Sequence, residues 1–489
     1  MYLMGIDVGT SGCKVRVVDE KGKTAASAYR AYSVTHPKTG WMELDAEHVF
    51  ASVCSAVKEC SKNGVGKGIA AIAVSTQGEA VIPVSSNGYA LHPAIVTFDT
   101  RNKKEFEDYS ANVDKITNMK LTGAPVHPMF SLTKILWFKN NKKDIFDKTW
   151  KFLCFGDFIS MRLGAEPCID YSMAARTLIF DINRLEWSNE ILDLSGLSSE
   201  QLPKTVPAGE KIGVVSAEAA SALDVNFRAL IIAGSHDQIC CALGAGVTES
   251  GVAMDSLGTT ESILSVNNHA IITSDMIENN IPCYPYAIPG FYASLTFLSC
   301  SGSVLDWYKN SILKDSSDFS LFDKTAATAC SLPTGLFVLP HFAGSGTPYL
   351  DFNSYGIISG ITLGTSREQI YKAIIEGTCY EMKLNLQIME KSGIVSDELR
   401  AIGGGAKSDF WMQIKADITG KKITVMATGE AGSLGAAMLA AKGCGMFKQI
   451  SEPACLWPSV RRVFTPDFEI HGLYNDAFER YNKLYLSRI

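Results

Sequence analysis

The chain contains no GxxxxGK[ST] loop, no CxxC pair and no Cys/His run at metal-ligand spacing. The first absence excludes a Walker-type nucleotide site, and the others argue against structural zinc. No uninterrupted apolar run reaches the roughly 18 residues that a membrane helix needs. No basic cluster occurs, and the net charge of -6 opposes non-specific binding to nucleic acid. The opening Met1-Tyr2-Leu3-Met4-Gly5 has no charged segment, and its apolar run stops at Asp7, so a signal peptide is not expected. These absences imply a soluble, cytoplasmic protein without nucleic-acid or membrane partners. The 13 cysteines are scattered, with Cys240 and Cys241 adjacent, and read as free thiols of a reducing compartment.

At 489 residues the chain is too long for one hydrophobic core, so two domains are expected. Its 46% hydrophobic and 20% charged residues are ordinary for a globular protein. Residues 1–19 read as a hairpin, with β-branched Val15, Val17 and Val18 after the turn Gly9-Thr10-Ser11-Gly12. Residues 45–61 fit a helix with Asp45 as N-cap, and Ile69–Val74 reads as a buried strand. Strand and helix signals then alternate, which predicts an α/β fold. A second hairpin with a Gly-hydroxyl turn lies at Gly258-Thr259-Thr260, about half a chain after the first, as a distant duplication would produce. The boundary is expected between 245 and 252, without a Pro/Ser linker, giving domains 1–248 and 249–489. The apolar spacing over 468–488 predicts a C-terminal helix.

Four motifs carry chemistry. In the first, Gly9, Thr10 and Ser11 offer backbone N–H groups and hydroxyls to phosphate, and Asp7 offers a carboxylate to hydrated Mg2+. The plain alternative is a hairpin with a buried Asp. In the second, Gly234-Ser235-His236-Asp237-Gln238 follows the apolar strand 229–233. An acidic group at that strand end lies where open α/β sheets bind ligands and suits deprotonation of an acceptor hydroxyl. The alternative is a helix N-cap. The third, Gly403-Gly404-Gly405-Ala406, joins a strand end to a helix and lets a base or phosphate approach the backbone. Its alternative is a flexible loop, and the small residues of 430–437 permit close helix packing nearby. The fourth gathers Gln77 and Glu79 with Asp99 and Arg101, side chains that can pair with vicinal hydroxyls. Here the alternative is a solvated Asp99–Arg101 bridge.

In this order the motifs resemble the FGGY family of carbohydrate kinases. Gly5-Ile6-Asp7-Val8-Gly9-Thr10-Ser11 and Ser256-Leu257-Gly258-Thr259-Thr260 are similar to its two phosphate motifs. Gly40-Trp41-Met42-Glu43-Leu44-Asp45 and Asp170–Leu178 resemble two further family segments. Gly403 through Asp417 resembles the adenosine motif, and the resemblance spans roughly residues 1–447.

It implies two ribonuclease-H-like, actin-like ATPase domains with a central cleft for ATP and sugar, and Mg2+ as cofactor. It implies Asp237 as catalytic base and Gln77, Glu79, Asp99, His236 and Asp237 as sugar contacts. Gly9, Thr10, Ser11, Lys14, Gly258, Thr259, Gly404, Gly405 and Ala406 would hold the nucleotide, and Asp7 the metal. The implied activity is ATP-dependent phosphorylation of a small sugar or polyol, foremost a ketopentose such as xylulose or ribulose, with glycerol, gluconate and other polyols as alternatives. A chaperone-like ATPase and a non-catalytic sugar sensor are more remote. The Arg-Glu pair that follows the matching Gln in glycerol kinases is Gly78-Glu79 here. The Met-His pair of xylulose kinases and their Trp at position 97 are absent. His236 is similar to the residue preceding the base in deoxysugar ketose kinases. The oligomeric state stays open, homodimers being common in the family.

Overall fold

The computed structural model describes residues 1–329 and 332–486. The chain divides into two compact units. The first comprises Met1–Thr248 and takes back two later stretches, Cys283–Ala293 and Glu430–Pro458; the second comprises the other described residues.

The first unit is built on strands β1 (Tyr2–Val8), β2 (Gly12–Val18), β3 (Thr24–Ala31), β4 (Ile69–Thr76), β5 (Lys211–Val214) and β6 (Leu230–His236), ordered β5-β6-β4-β1-β2-β3. The β1–β2 and β2–β3 pairs are antiparallel, whereas β1, β4 and β6 run parallel. β4 reads IAAIAVST and is almost wholly buried, as expected of a parallel strand covered on both faces. Helix α1 (Ala46–Cys60) starts where the sequence predicts, because the Asp45 carboxylate accepts the N–H groups of Glu47 and His48 at 3.0 and 3.1 Å. Further helices are α2 (Ser131–Asn141), α3 (Tyr171–Ala175) and α4 (Asp237–Gly244).

The second unit repeats the plan. Its strands β7 (Gly251–Leu257), β8 (Glu261–Asn267), β9 (Tyr292–Leu298), β10 (Ser396–Gly403), β11 (Lys422–Met426) and β12 (Val460–Phe464) follow one another in the order β9-β8-β7-β10-β11-β12. β7 pairs antiparallel with β8 and parallel with β10; β11 is parallel to β10 and antiparallel to β12. Read from β3 and from β9, the two sheets share the sequence of hairpin, parallel neighbours and antiparallel edge. This is the duplication that the paired Gly-Thr turns suggest. Helices α5 (Arg367–Lys391) and α6 (Asp409–Thr419) belong to this unit, as does α8 (Phe468–Leu486). α8 accounts for the predicted C-terminal helix as far as residue 486; 487 and 488 lie outside the described residues.

Helix α7 (Ala431–Gly443), from the third stretch of the first unit, packs on β1 and α4 at distances only glycine permits. A Cβ on Gly5 would lie 1.9 Å from the Ser433 carbonyl oxygen, and one on Gly435 would lie 1.9 Å from that of Cys240.

Candidate active site

Three parallel strands end together. The register of β1, β4 and β6 sets Asp7, Ser75 and Ser235 side by side, with Val8, Thr76 and His236 in the next row. The residues leaving these strand ends are therefore neighbours: the turn from Gly9, the loop from Gln77 and helix α4 from Asp237. This is the carboxyl edge at which open α/β sheets bind ligands.

Asp7 accepts the Ser75 hydroxyl through Oδ1 at 2.8 Å. Burial raises its pKa, a tendency opposed by the Ser75 bond and by Lys14, its partner across the hairpin. The Gly9 N–H closes the turn onto the Gly12 carbonyl at 3.0 Å. The Thr10 hydroxyl donates to Gln77 Oε1 at 2.9 Å, and Gln77 Nε2 reaches the Gly9 carbonyl at 3.4 Å. Gln77 is thus bound into the turn. Thr10 and Ser11 are exposed.

Glu79, at a positive φ of 62°, is buried and forms an ion pair with Arg176. Thr97 donates to Glu79 Oε2 at 3.0 Å, and the buried Lys134 of α2 donates to the Glu79 carbonyl at 2.8 Å. Gly78 makes room for this pair: a Cβ there would lie 3.0 Å from both Arg176 Nε and His236 Nε2. His236 Nε2 is 3.2 Å from Asp237 Oδ1. Burial, then the charge of Arg176, push the His236 pKa well below its usual value. Asp237 opens α4 and is not its N-cap; that position belongs to His236, which makes no side-chain cap bond. The Asp237 side chain keeps 27% exposure. Burial, with the nearby carboxylates of Asp7 and Glu79, raises its pKa to about 7.

Asp99 is committed within the protein. Oδ1 accepts the backbone N–H and Nε of Arg101, both at 2.9 Å; Oδ2 accepts Met42 N–H at 2.6 Å and an Arg101 terminal nitrogen at 2.7 Å. Arg101 also meets Glu43 at 2.7 Å and stacks on Trp41 with its guanidinium 3.8 Å from the ring centre. The bridge that the sequence allows is therefore buried, both side chains being fully inaccessible.

In the second unit the parallel register of β7 and β10 pairs Leu257 with Gly403, so Gly258 and Gly404 leave adjacent strand ends. Ser301 and Gly302 N–H groups bind the carbonyls of Thr259 and Gly258 at 2.9 and 3.0 Å, fixing the turn. Gly403 has a φ of 92°, and the space beside Gly404 is open: a Cβ there would meet nothing within 4 Å. Arg461 donates to the Ala406 carbonyl at 3.0 Å. Beneath, Lys415 of α6 is fully buried between Asp255 and Glu261, 2.5 Å from each.

Two family models cover this chain: the N-terminal domain of the FGGY family of carbohydrate kinases over residues 2–244, and its C-terminal domain over 253–444. The chain belongs to the FGGY family of carbohydrate kinases. The FGGY kinase is 28% identical over 484 residues to a xylulose kinase of Staphylococcus xylosus, covering 99% of each. It is 30% identical over 485 residues to a glycerol kinase of Bacillus velezensis, covering 96% of this chain and 95% of that one. A ligand-bound xylulose kinase structure from Lactobacillus acidophilus superposes with a TM-score of 0.93 at 27% identity, over 99% of this chain and 98% of that one. The actin-like, two-domain architecture and the sugar-kinase class follow.

Among the described residues no group of three or more His, Cys, Asp or Glu side chains is arranged to hold a metal. What the FGGY kinase does offer is one carboxylate, Asp7, with Oδ2 facing Gly432, where a Cβ would come within 2.9 Å. A single carboxylate left uncrowded by a glycine fits Mg2+, which keeps several waters and uses one or two carboxylates plus phosphate oxygens. No helix among the described residues is long and apolar enough to cross a membrane.

Sequence reasoning passed over three members of the site. Arg176 sits in a motif it did single out, and a buried arginine needs an acid, which Glu79 supplies. Lys134 carries no local signal. Tyr284 comes from the returning stretch 283–293 and stands edge-on to His236, ring centres 6.1 Å apart.

Proposed function

We propose that this kinase transfers the γ-phosphoryl group of ATP to a hydroxyl of a ketopentose such as xylulose or ribulose, with Asp237 as base. The observation that carries the assignment is the Asp237 carboxyl itself. It is partly accessible at a strand end beside Asp7, and its pKa of about 7 lets it hold a proton reversibly near neutral pH. The acceptor hydroxyl gives its proton to Asp237 as its oxygen bonds to the γ-phosphorus. The bond from that phosphorus to the β–γ bridging oxygen breaks, and ADP leaves with the electron pair. Gly9, Thr10, Ser11 and Lys14 of one hairpin, and Gly258 and Thr259 of the other, offer donors for phosphate oxygens. Gly404, Gly405 and Ala406 flank the adenosine. Mg2+ held through water by Asp7 would supply charge neutralisation on the phosphates. The ketopentose class draws support from the xylulose kinases among the relatives.

One observation favours glycerol as a second reading. It is the 30% identity to a glycerol kinase; against it, Gly78 leaves one expected glycerol contact missing. The test is coupled ADP release with Mg-ATP and D-xylulose, L-xylulose, L-ribulose, glycerol, gluconate or erythritol. Strong stimulation by a ketopentose supports the proposal. Stimulation by glycerol alone selects the second reading, and ATP turnover indifferent to all six overturns both.

A further inference from the structure

We propose that His236 is a positioning residue for the base: its neutral ring presents its Nε2–H to Asp237 Oδ1, 3.2 Å away, and so turns Oδ2 of the carboxyl toward the acceptor hydroxyl. The inference rests on the reading of Asp237 as base and gives His236 a different task from the sugar contact its sequence position suggests.

The geometry begins with the backbone. The His236 N–H is held by the Ser172 hydroxyl at 3.1 Å. Ser172 and Ser235 are in turn bound to Asp170, at 2.6 and 3.1 Å, and to each other at 2.8 Å. The last residue of β6 is thereby anchored where the chain turns into α4. The ring is buried at 4% exposure, and its two nitrogens differ. Nε2 lies 3.2 Å from Asp237 Oδ1, while Nδ1 is buried with no partner among the described residues.

A buried N–H without an acceptor is rarer and costlier than a spare lone pair. The ring proton therefore belongs on Nε2, which faces a carboxylate oxygen 3.2 Å away, and Nδ1 carries the lone pair. A second proton would place an N–H against nothing at Nδ1 and add a positive charge beside Arg176. Arg176, pinned by Glu79, thus holds the ring in the one form that presents its Nε2–H to the base. Gly78 is what lets Arg176 and His236 stand this close, since a Cβ would lie 3.0 Å from both. The other ring against His236 is Tyr284, edge-on. The charges acting on Asp237 are Asp7, Glu79 and Arg176.

The experiment compares H236F, H236Q, R176K and D237N in the full chain with Mg-ATP and the panel sugar of highest turnover, alongside 15N NMR of the wild-type imidazoles. H236F is expected to lower kcat roughly ten- to a hundredfold, the loss that misplacement of a reacting group produces, with KM for the sugar within about twofold. H236Q, whose amide N–H can reach the same oxygen, recovers most of that loss. R176K lowers kcat in the same direction. The His236 resonances show Nε2 protonated and Nδ1 bare. A raised sugar KM with kcat intact in H236F, or a proton on Nδ1, overturns the proposal. Normal kcat in H236F while D237N is inactive refutes positioning alone, whereas near-normal turnover in D237N refutes the base assignment beneath it. Should H236F fail to fold, H236Q and the wild-type spectra still decide.

Discussion

Replacing Asp237 by Asn should slow turnover sharply and stabilise the protein, and the second effect depends on pH in a calculable way. Asp237 rises from an ordinary 3.8 to about 7, with burial first among the causes and then the negative charges of Asp7 and Glu79. The folded state therefore holds the proton more tightly than the unfolded chain. Below pH 4 both states are protonated, and the full stability is present. As the pH climbs from about 4 to about 7 the unfolded chain ionises first, and stability is lost until the folded carboxyl also ionises. At about 1.4 kcal/mol per pH unit, the loss amounts to as much as roughly 4 kcal/mol. Asn does not titrate. The stability of D237N relative to wild type should thus grow between pH 4 and pH 7 and stay level above it. Urea unfolding without nucleotide, at pH 4.5, 6 and 8, measures this. Turnover should fall by about 10²–10⁴-fold, the usual worth of a general base. A stability difference that is flat with pH, or that favours wild type at pH 8, would refute the account of a carboxyl held protonated by its surroundings.

Other perturbations follow from the same geometry. Lys415→Met leaves Asp255 and Glu261 buried without their cation and should cost about 3–5 kcal/mol, read by urea unfolding. Gly5→Ala drives a methyl group into the Ser433 carbonyl, so the variant should be largely insoluble or unfold many degrees lower in a thermal melt. Gly432→Ala crowds Asp7 Oδ2 and should raise the Mg2+ concentration needed for half-maximal turnover, with the far-UV CD spectrum unchanged. For Asp99→Asn, which weakens the pairing to Arg101, we expect a lower urea midpoint and a sugar KM changed by no more than a fewfold.

Much of the fold could be read from local chemistry. Asp45 announces α1 because an N-cap is a short-range device, and β-branched residues after a Gly-Thr turn mark both hairpins. The duplication was legible because the same turn recurs. The strand before Asp237 proved longer than its apolar run, since Ser235 and His236 complete the ladder with Ser75 and Thr76 through backbone bonds that polarity does not forbid. Side-chain partnerships were harder to foresee. Gln77 turns to Thr10, Asp99 to Arg101 and Glu79 to Arg176. A sequence shows that such groups can bind a sugar, but the choice between sugar and protein partner depends on distances set by the tertiary packing. The returning stretches 283–293 and 430–458 left no mark of their destination, because their surroundings are supplied by residues far off in the chain, from 39 positions for Tyr286 and Val247 to 428 for Ser433 and Gly5 (433 minus 5).

Those returning stretches bear on how the molecule is made. Helix α7 fills the space against Gly5 and Cys240 that completes the first unit, yet it begins 191 positions after Cys240 (431 minus 240). A nascent chain that has emerged only as far as residue 248 has β1, β4 and β6 with Val53, Val57, Phe158 and Ile159 packed on one face, but lacks the cover that α7 gives the other. The first unit cannot close until translation has passed residue 443, 195 positions beyond Thr248 (443 minus 248). Expression of 1–248 alone would leave an apolar sheet face exposed for the lifetime of the fragment, a load for chaperones rather than a folded domain.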